Sequence, residues 1–228
     1  MARLVLFDID MTLISTLRAG RAALEVSFRE NFGIEGAVSK VSIDGRTDHA
    51  IFMELIAIHG VANGDIEAAY RRTIEGYLAA LPGEIAARNG HVLPGVPALL
   101  DALEISHGKL GLATGNIRPG AKIKLSHFGL WERFAAGGFG DASPVRAEVV
   151  HAGMEELAAA LGLDPNPGDT VIVGDTPLDV EAAHAIGAKA IAVATGAYSV
   201  DDLERSGADA AFADLSSTSE VLGAISSL

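Results

Sequence analysis

Short, continuous apolar runs recur along the chain, and stretches with helical periodicity separate them. A continuous apolar run is typical of a strand that is buried on both faces of a parallel sheet. The runs comprise residues 4–7, 110–113, 171–173 and 190–194, with a weaker run at 210–213. Between them, apolar residues fall on single helical faces, as Val96, Leu99, Leu100 and Leu103 do. The alternation predicts an α/β fold with a doubly wound parallel sheet.

The segment from residue 16 to residue 88 does not follow this alternation. It has helical periodicity at 24–32, 51–58 and 66–78 and no convincing strand, and Leu81-Pro82-Gly83 predicts a break within it. A single crossover helix does not need so many residues. We therefore predict an α/β core formed by residues 1–15 and 89–228, with residues 16–88 inserted as a small helical cap domain.

Composition narrows the possible functions. The chain has 228 residues, of which 49% are hydrophobic, enough for a packed core. Its net charge of −13 argues against general binding to nucleic acid or to anionic membranes, but not against an anionic substrate. With no cysteine, neither a disulfide nor a thiolate metal site is possible.

Targeting signals are also not evident. No apolar run approaches the roughly 18 residues of a membrane span, and the apolar stretch near the N-terminus carries two aspartates, unlike a signal peptide. We expect a cytoplasmic protein. The sequence does not distinguish a monomer from a homodimer.

Pairs of acidic residues follow two of the predicted strands. Asp8 and Asp10 follow the first strand, and Asp175 and Asp179 follow the strand at 171–173. Ligands bind at the carboxyl ends of strands in such sheets, and crowded carboxylates need a cation or a shared proton. Mg²⁺ prefers one or two carboxylates together with water and substrate oxygens. The alternative interpretation is ordinary turn and helix-cap chemistry at both places.

The turn after the second core strand has the residues of an anion-binding site. Thr114, Gly115 and Asn116 follow the second core strand and precede a helix, where a hydroxyl and free amides can cradle a phosphate. A plain capped turn would have the same sequence.

A cation is predicted in the first turn of a later helix. Ser143 is the predicted N-cap and Pro144 the first helical residue, which places Arg146 in that turn. A cation there opposes the helix dipole, so binding of phosphate would explain it better than simple exposure. Lys122 and Lys124 are the alternative cations.

Taken in order, these motifs resemble the phosphatase branch of the haloacid dehalogenase superfamily. The pattern is DxDxT from Asp8, then TGN, a basic residue, and GDTPLD ending at Asp179. The resemblance extends over nearly the whole chain, because that superfamily places a helical cap after the first motif. It implies a doubly wound core and a small phosphorylated metabolite as the substrate.

The resemblance also implies roles for individual residues. Asp8 would attack phosphorus, and Asp10 would protonate the leaving oxygen and later activate water. Thr114, Gly115, Asn116 and Arg146 would bind the phosphoryl group. Mg²⁺ would be held by Asp8, the backbone carbonyl of Asp10 and Asp175, with Asp179 in support. In the cap, Gly45-Arg46-Thr47-Asp48 resembles phosphoglycolate-phosphatase-like members, which makes Arg46 a candidate substrate contact.

Two positions depart from the family pattern, and one glycine-rich segment is ambiguous. Met11 stands where the family usually has glycine, and the lysine-proline pair common at the third motif is absent around Arg146. The segment from Gly137 to Gly140 does not fit GxGxxG, and we predict a flexible connection there.

The favoured function is a Mg²⁺-dependent phosphatase acting on a phosphoglycolate-like molecule or a sugar phosphate. A phosphomutase of the β-phosphoglucomutase type would share the four motifs. A non-catalytic signalling or binding domain, phosphorylated on aspartate, is the alternative from another class.

Overall fold

The computed structural model describes residues 4–107, 110–141 and 143–228, so the first three residues of the predicted core segment lie outside the described residues. The strands are β1 (Leu4–Phe7), β2 (Ile14–Ser15), β3 (His91–Val92), β4 (Leu110–Thr114), β5 (Phe134–Phe139), β6 (Thr170–Gly174), β7 (Lys189–Val193) and β8 (Ala210–Phe212). The helices are α1 (Ala19–Phe32), α2 (Asp48–His59), α3 (Ile66–Ala86), α4 (Val96–His107), α5 (Arg118–His127), α6 (Arg146–Leu161), α7 (Pro177–Ala185), α8 (Val200–Arg205) and α9 (Thr218–Ser227).

The central sheet has six strands in the order β5-β4-β1-β6-β7-β8, and every pair in it is parallel. This confirms the predicted doubly wound α/β sheet. Side chains alternate across each strand: Val5 and Phe7 of β1 belong to one hydrophobic cluster, whereas Leu4 and Leu6 belong to the other. Both faces are therefore buried, which explains the continuous apolar runs.

Helices α1, α2 and α3 form a hydrophobic cluster of their own, to which Ile117 beside α5 also contributes. Phe28, Phe52 and Tyr77 are almost fully buried within it. The chain leaves the core through β2 and returns through β3, and these two strands pair antiparallel with Ile14 opposite Val92. The two connections therefore lie side by side, next to the end of β1.

The predicted flexible connection at Gly137–Gly140 is wrong, because Gly137 and Gly138 lie within strand β5. A Cβ at Gly138 would lie 1.8 Å from the carbonyl oxygen of Val149 in α6, and one at Gly137 would lie 2.7 Å from Cβ of Leu112 in β4. Glycine is needed there because helix and strand pack too closely for any side chain. The composition that looked like a loop reflects this packing.

Two helix boundaries also differ from the prediction. Helix α3 continues through Pro82 to Ala86, because Leu81 and Ile85 on either side of the proline are both buried in the cluster formed by α1, α2 and α3. Helix α6 begins at Arg146, so Pro144 is not its first residue; Ser143 accepts a hydrogen bond from the backbone N–H of Val145 in the turn before the helix. Arg146 nevertheless lies in the first turn, as predicted.

Candidate functional site

The ends of three neighbouring strands bring the predicted motifs to one edge of the sheet. Strand β1 lies between β4 and β6, with Phe7 opposite both Leu112 and Val173. Asp8 continues beyond β1, and its backbone N–H donates to the carbonyl of Val173 at 2.9 Å. The acidic residues after β1 and β6 and the Thr-Gly-Asn turn after β4 consequently face one crevice.

Three carboxylates form a cluster in this crevice. Oxygens of Asp8, Asp175 and Asp179 lie within 4.8 Å of one another, and all three residues are buried. Burial, reinforced by neighbouring carboxylates, raises the pKa of Asp8 to about 6 and that of Asp175 to about 9. The folded chain therefore holds these acids at a cost that a cation would relieve.

Arg146 ion-pairs with two members of the cluster. Its Nη2 lies 3.1 Å from Asp8 Oδ1 and 2.5 Å from Asp179 Oδ1. Burial alone would lower the pKa of this guanidinium, but the two carboxylates raise it. Its Nε is buried without a hydrogen-bond partner in the described part of the chain, so one donor of this guanidinium is unused.

The remaining charge fits a divalent cation. Three carboxylates face one arginine, and hard oxygen ligands of this kind are those that Mg²⁺ takes. The surroundings are also shaped around the acids: a Cβ at Gly196 would lie 2.0 Å from Asp175 Oδ2, and one at Gly174 would lie 2.4 Å from Cγ of Asp179. The acidic residues could thus hold a metal, with Asp8 and Asp175 as the side-chain ligands and Asp179 beside them.

Asp179 also has the structural role considered as its alternative. It forms a capping box at the start of α7, in which its Oδ2 accepts from the backbone N–H of Thr176 at 3.1 Å and from its hydroxyl at 2.8 Å. Its other oxygen contacts Arg146. The helix cap and the charge cluster are therefore one arrangement, because the cap fixes where the carboxylate points.

The Thr-Gly-Asn turn lies against both Arg146 and the backbone of Arg46. Thr114 is fully buried, and its Oγ1 accepts from the side-chain amide of Asn116 at 2.9 Å. A Cβ at Gly115 would lie 2.2 Å from the carbonyl oxygen of Arg46 and 2.7 Å from Nη1 of Arg146. Gly115 therefore permits a close backbone approach, whereas Thr114 positions Asn116 from below the surface of the crevice.

Asp10 is held by two side chains. Its Oδ2 accepts from Lys124 Nζ at 2.5 Å and from Asn116 Nδ2 at 2.8 Å. Lys124 Nζ also donates to Asn116 Oδ1 at 2.5 Å, which closes the triangle. The sequence indicated Lys124 as an alternative phosphate cation, but its contacts are with Asp10. The short separation of Lys124 and Asn116 along the chain could have indicated their contact with each other, but not the contact of Lys124 with Asp10.

The segment that contains Arg46 contacts the turn after β4 directly. The backbone N–H of Asp48 donates to the carbonyl of Gly115 at 2.7 Å, and Asp48 Oδ2 accepts from the backbone N–H of Ile117 at 2.9 Å. Burial raises the pKa of Asp48 to about 6. Arg46 itself ion-pairs with Glu54 at 2.6 Å. Sequence reasoning missed Asp48, although it belongs to the motif that indicated Arg46.

A cavity of about 520 Å³ lies between helices α1–α3 and the strand ends, in the size range of small-ligand sites. Asp8, Asp10, Asn116, Arg146 and Asp175 line one end of it. The residues of segment 16–88 that line it include Arg18, Arg21, Arg46 and Tyr77. The cavity thus joins the acidic cluster to a wall that carries several cations.

Met11, where the family pattern has glycine, adopts a left-handed backbone with φ 58°. Its N–H donates to the carbonyl of Ile14 at 2.8 Å, and its own carbonyl accepts from the hydroxyl of Thr195. The local turn is therefore kept in the conformation that glycine favours, despite the side chain.

Comparison with known proteins gives a consistent result. Residues 5–193 match the sequence model of the haloacid dehalogenase-like hydrolase family. The chain is 28% identical to a phosphoglycolate phosphatase of Rhodospirillum rubrum, over 98% of this chain and 92% of that protein.

Solved structures share the fold. A hydrolase from Pseudomonas syringae superposes with a TM-score of 0.72 at 22% identity, covering 97% of this chain and 98% of that one. A β-phosphoglucomutase from Clostridium difficile gives 0.69 at 17% identity, with 99% and 98% covered. Among the described residues, no helix has the length and apolar character needed to cross a membrane.

Proposed function

The chain belongs to the haloacid dehalogenase-like hydrolase family and is a phosphatase of that family, and from this premise we propose that it hydrolyses a small phosphomonoester with Mg²⁺ through an aspartyl-phosphate intermediate. The observation that carries the proposal is the contact of Asp8 with Arg146, in a cluster where oxygens of Asp8, Asp175 and Asp179 lie within 4.8 Å. This arrangement supports a nucleophile beside a cation and a metal site.

In the proposed reaction, Asp8 Oδ attacks phosphorus while the bond to the leaving oxygen breaks and Asp10 protonates that oxygen. Water then attacks the aspartyl phosphate, Asp10 takes the proton of the water, and inorganic phosphate leaves Asp8. Arg146 and the Thr114–Asn116 turn bind the phosphoryl oxygens. Fixed donors and cations of this kind stabilise the charge that develops during phosphoryl transfer.

The proposed Mg²⁺ ligands are Asp8, the backbone carbonyl of Asp10 and Asp175, with Asp179 in support. When bound, the metal would neutralise charge between the nucleophile and the phosphoryl group. Removing either Arg146 or the metal would leave the buried carboxylates without a compensating positive charge. Both are therefore expected to be needed for activity.

We further propose that residues 16–88 act as a cap over the site and that the cap provides substrate selection, with Arg46 as one candidate contact. The R. rubrum relative carries the name phosphoglycolate phosphatase, and a cavity of about 520 Å³ would also admit a sugar phosphate. We therefore propose a small phosphorylated metabolite of either kind, hydrolysed in the cytoplasm.

The test is turnover of a panel that contains phosphoglycolate, glucose 6-phosphate, glucose 1-phosphate and 4-nitrophenyl phosphate, with Mg²⁺ and with excess chelator. Release of inorganic phosphate that the chelator abolishes is the expected result. An isomeric sugar phosphate without released phosphate would indicate a mutase, and no Mg²⁺-dependent turnover of any panel member would refute the proposal.

Asp8→Asn should lose at least about 10³-fold in kcat while remaining folded, because the nucleophile is removed and the shape is kept. Asp164→Asn is the matched control, since Asp164 is an exposed aspartate in a loop of the core. Near-normal activity of Asp8→Asn would contradict the covalent mechanism.

A further inference from the structure

The side chain of Lys124 is buried in the site but does not contact the nucleophile. It is 6% exposed, whereas the side chain of Asp10 that it contacts is 38% exposed. Arg146 and Lys124 therefore pair with different aspartates: Arg146 with Asp8 and Asp179, and Lys124 with Asp10.

The contacts of Asp10 are distributed unequally over its two oxygens. Lys124 and Asn116 both donate to Oδ2. No hydrogen bond from the described residues reaches Oδ1, and Asp10 lines the cavity. One oxygen is thus fixed to the protein, while the other remains available to a substrate oxygen or to water.

The cap covers this ion pair. A Cβ at Gly20 of α1 would lie 3.4 Å from Lys124 Nζ and 3.6 Å from the hydroxyl of Tyr77 in α3. Lys124 itself lies on α5 of the core, so its ammonium is enclosed between core and cap. Shielding of the ammonium from water strengthens and orients its contact with Asp10, whose other oxygen still faces the cavity.

We propose that Lys124 is a positioning residue that, with Asn116, fixes Oδ2 of Asp10 so that Oδ1 exchanges the proton with the leaving oxygen and then with the attacking water. The inference rests on the proposed phosphatase function. Lys124 acts through Asp10 and forms no bond to phosphorus, so its role differs from that of Arg146. In each half-reaction the proton moves between Asp10 Oδ1 and an oxygen of the substrate or of water.

A leaving-group comparison separates this role from a merely structural one. An alkoxide needs a proton as it leaves, whereas 4-nitrophenolate leaves without one. The first substrate is an alkyl phosphate that the wild type hydrolyses. For this substrate, Lys124→Met should lower kcat/KM by about 100-fold, near the lower end of what general acid catalysis contributes. For 4-nitrophenyl phosphate the expected loss is less than about 5-fold.

Two comparisons make the test specific. Lys122, the other alternative cation, is exposed on the same helix and does not line the cavity, so Lys122→Met should leave both rates unchanged. Asp10→Asn should give the same dependence on the leaving group as Lys124→Met. In the double variant, Lys124→Met should lower kcat/KM by less than about a further 3-fold, because the effects of residues that act as one unit are not additive. Lys124→Gln keeps a hydrogen-bond donor and provides a second variant if the methionine fails to fold.

Equal losses on the alkyl and the aryl phosphate would overturn the proposal, since they would indicate binding of phosphate or general damage to the site. Unchanged rates on both substrates would overturn it as well. Failure of the phosphatase proposal is distinguishable, because the wild type would then show no Mg²⁺-dependent turnover of either substrate.

Discussion

Replacing Met11 by glycine and by alanine tests whether the backbone of the turn after β1 is strained at this position, where the family usually has glycine. Met11 has φ 58°, a left-handed conformation that non-glycine residues rarely adopt. Hydrogen bonds on both its N–H and its carbonyl hold the backbone there. Both variants lack the methionine side chain, so its packing cancels when they are compared.

The expected difference follows from two opposing contributions. A left-handed conformation costs a residue with a Cβ roughly 1–2 kcal/mol, whereas glycine loses about 0.5–1 kcal/mol more backbone entropy on folding. From the middle of both ranges, Met11→Gly should be more stable than Met11→Ala by about 0.5–1 kcal/mol. In a chain of 228 residues this corresponds to roughly 1–4 °C in Tm.

The measurement is thermal unfolding by calorimetry, supported by urea titration of the same variants. Ala160→Gly is the reference, because Ala160 is exposed within α6, where glycine should be less stable than alanine by about 1 kcal/mol. The difference in stability between the glycine and the alanine variant should therefore have opposite signs at positions 11 and 160. If alanine is the more stable residue at position 11 also, Met11 is not held in a left-handed turn and the interpretation of this departure fails.

Three further changes test other parts of the structure. Hydrogen bonds lower the pKa of Asp209 to about 2, although burial opposes this shift. Asp209→Asn should therefore lower the free energy of unfolding by about 2 kcal/mol at pH 7. In urea unfolding at different pH values, this loss should shrink between pH ~4 and pH ~2, and a loss that stays constant would contradict the lowered pKa. Gly138→Ala should lower the free energy of unfolding by about 1–3 kcal/mol, because its Cβ would lie 1.8 Å from the carbonyl oxygen of Val149; Gly83→Ala, with open space around it in α3, should not lower it. Asp175→Asn should raise the Tm of the metal-free protein at pH 7 and abolish any gain in Tm on adding Mg²⁺; a lower Tm without metal would show that the carboxylate stabilises the fold.

The sheet could be predicted from the sequence because burial on both faces leaves a local signature. The runs at 4–7 and 171–173 are apolar at every position, and each lies within a strand of the central sheet. Strand β5 lacks that signature, because Gly138 is required by the close approach of α6 and Gly137 by that of β4. Pro82 misled for the same reason: the packing of Leu81 and Ile85 outweighs a local helix-breaking preference.

In the candidate site too, the sequence locates some residues but not the contacts between them. Residues that directly follow a buried strand, such as Asp8 and Asp175, could be located because the sheet topology brings strand ends together. The partner of Asp10 could not be located, because Lys124 is 114 residues away and its direction depends on how α5 packs under the cap. Asp48 and Ile117 are 69 residues apart and meet for the same kind of reason. Local patterns thus indicate which residues carry chemistry, whereas their pairing is a property of the packed fold.

The acidic cluster explains why function and stability should conflict at Asp175. Its pKa of about 9 in the folded chain is raised mainly by burial and next by Asp179. At pH 7 the unfolded chain ionises this group and the folded chain does not, so the unfolded state is favoured increasingly as pH rises from about 4 towards 9. A structural role would favour asparagine, which has the same shape and no charge to bury. A carboxylate is retained at a destabilising position when it has a positively charged partner that binds only the folded state, and a divalent cation is such a partner.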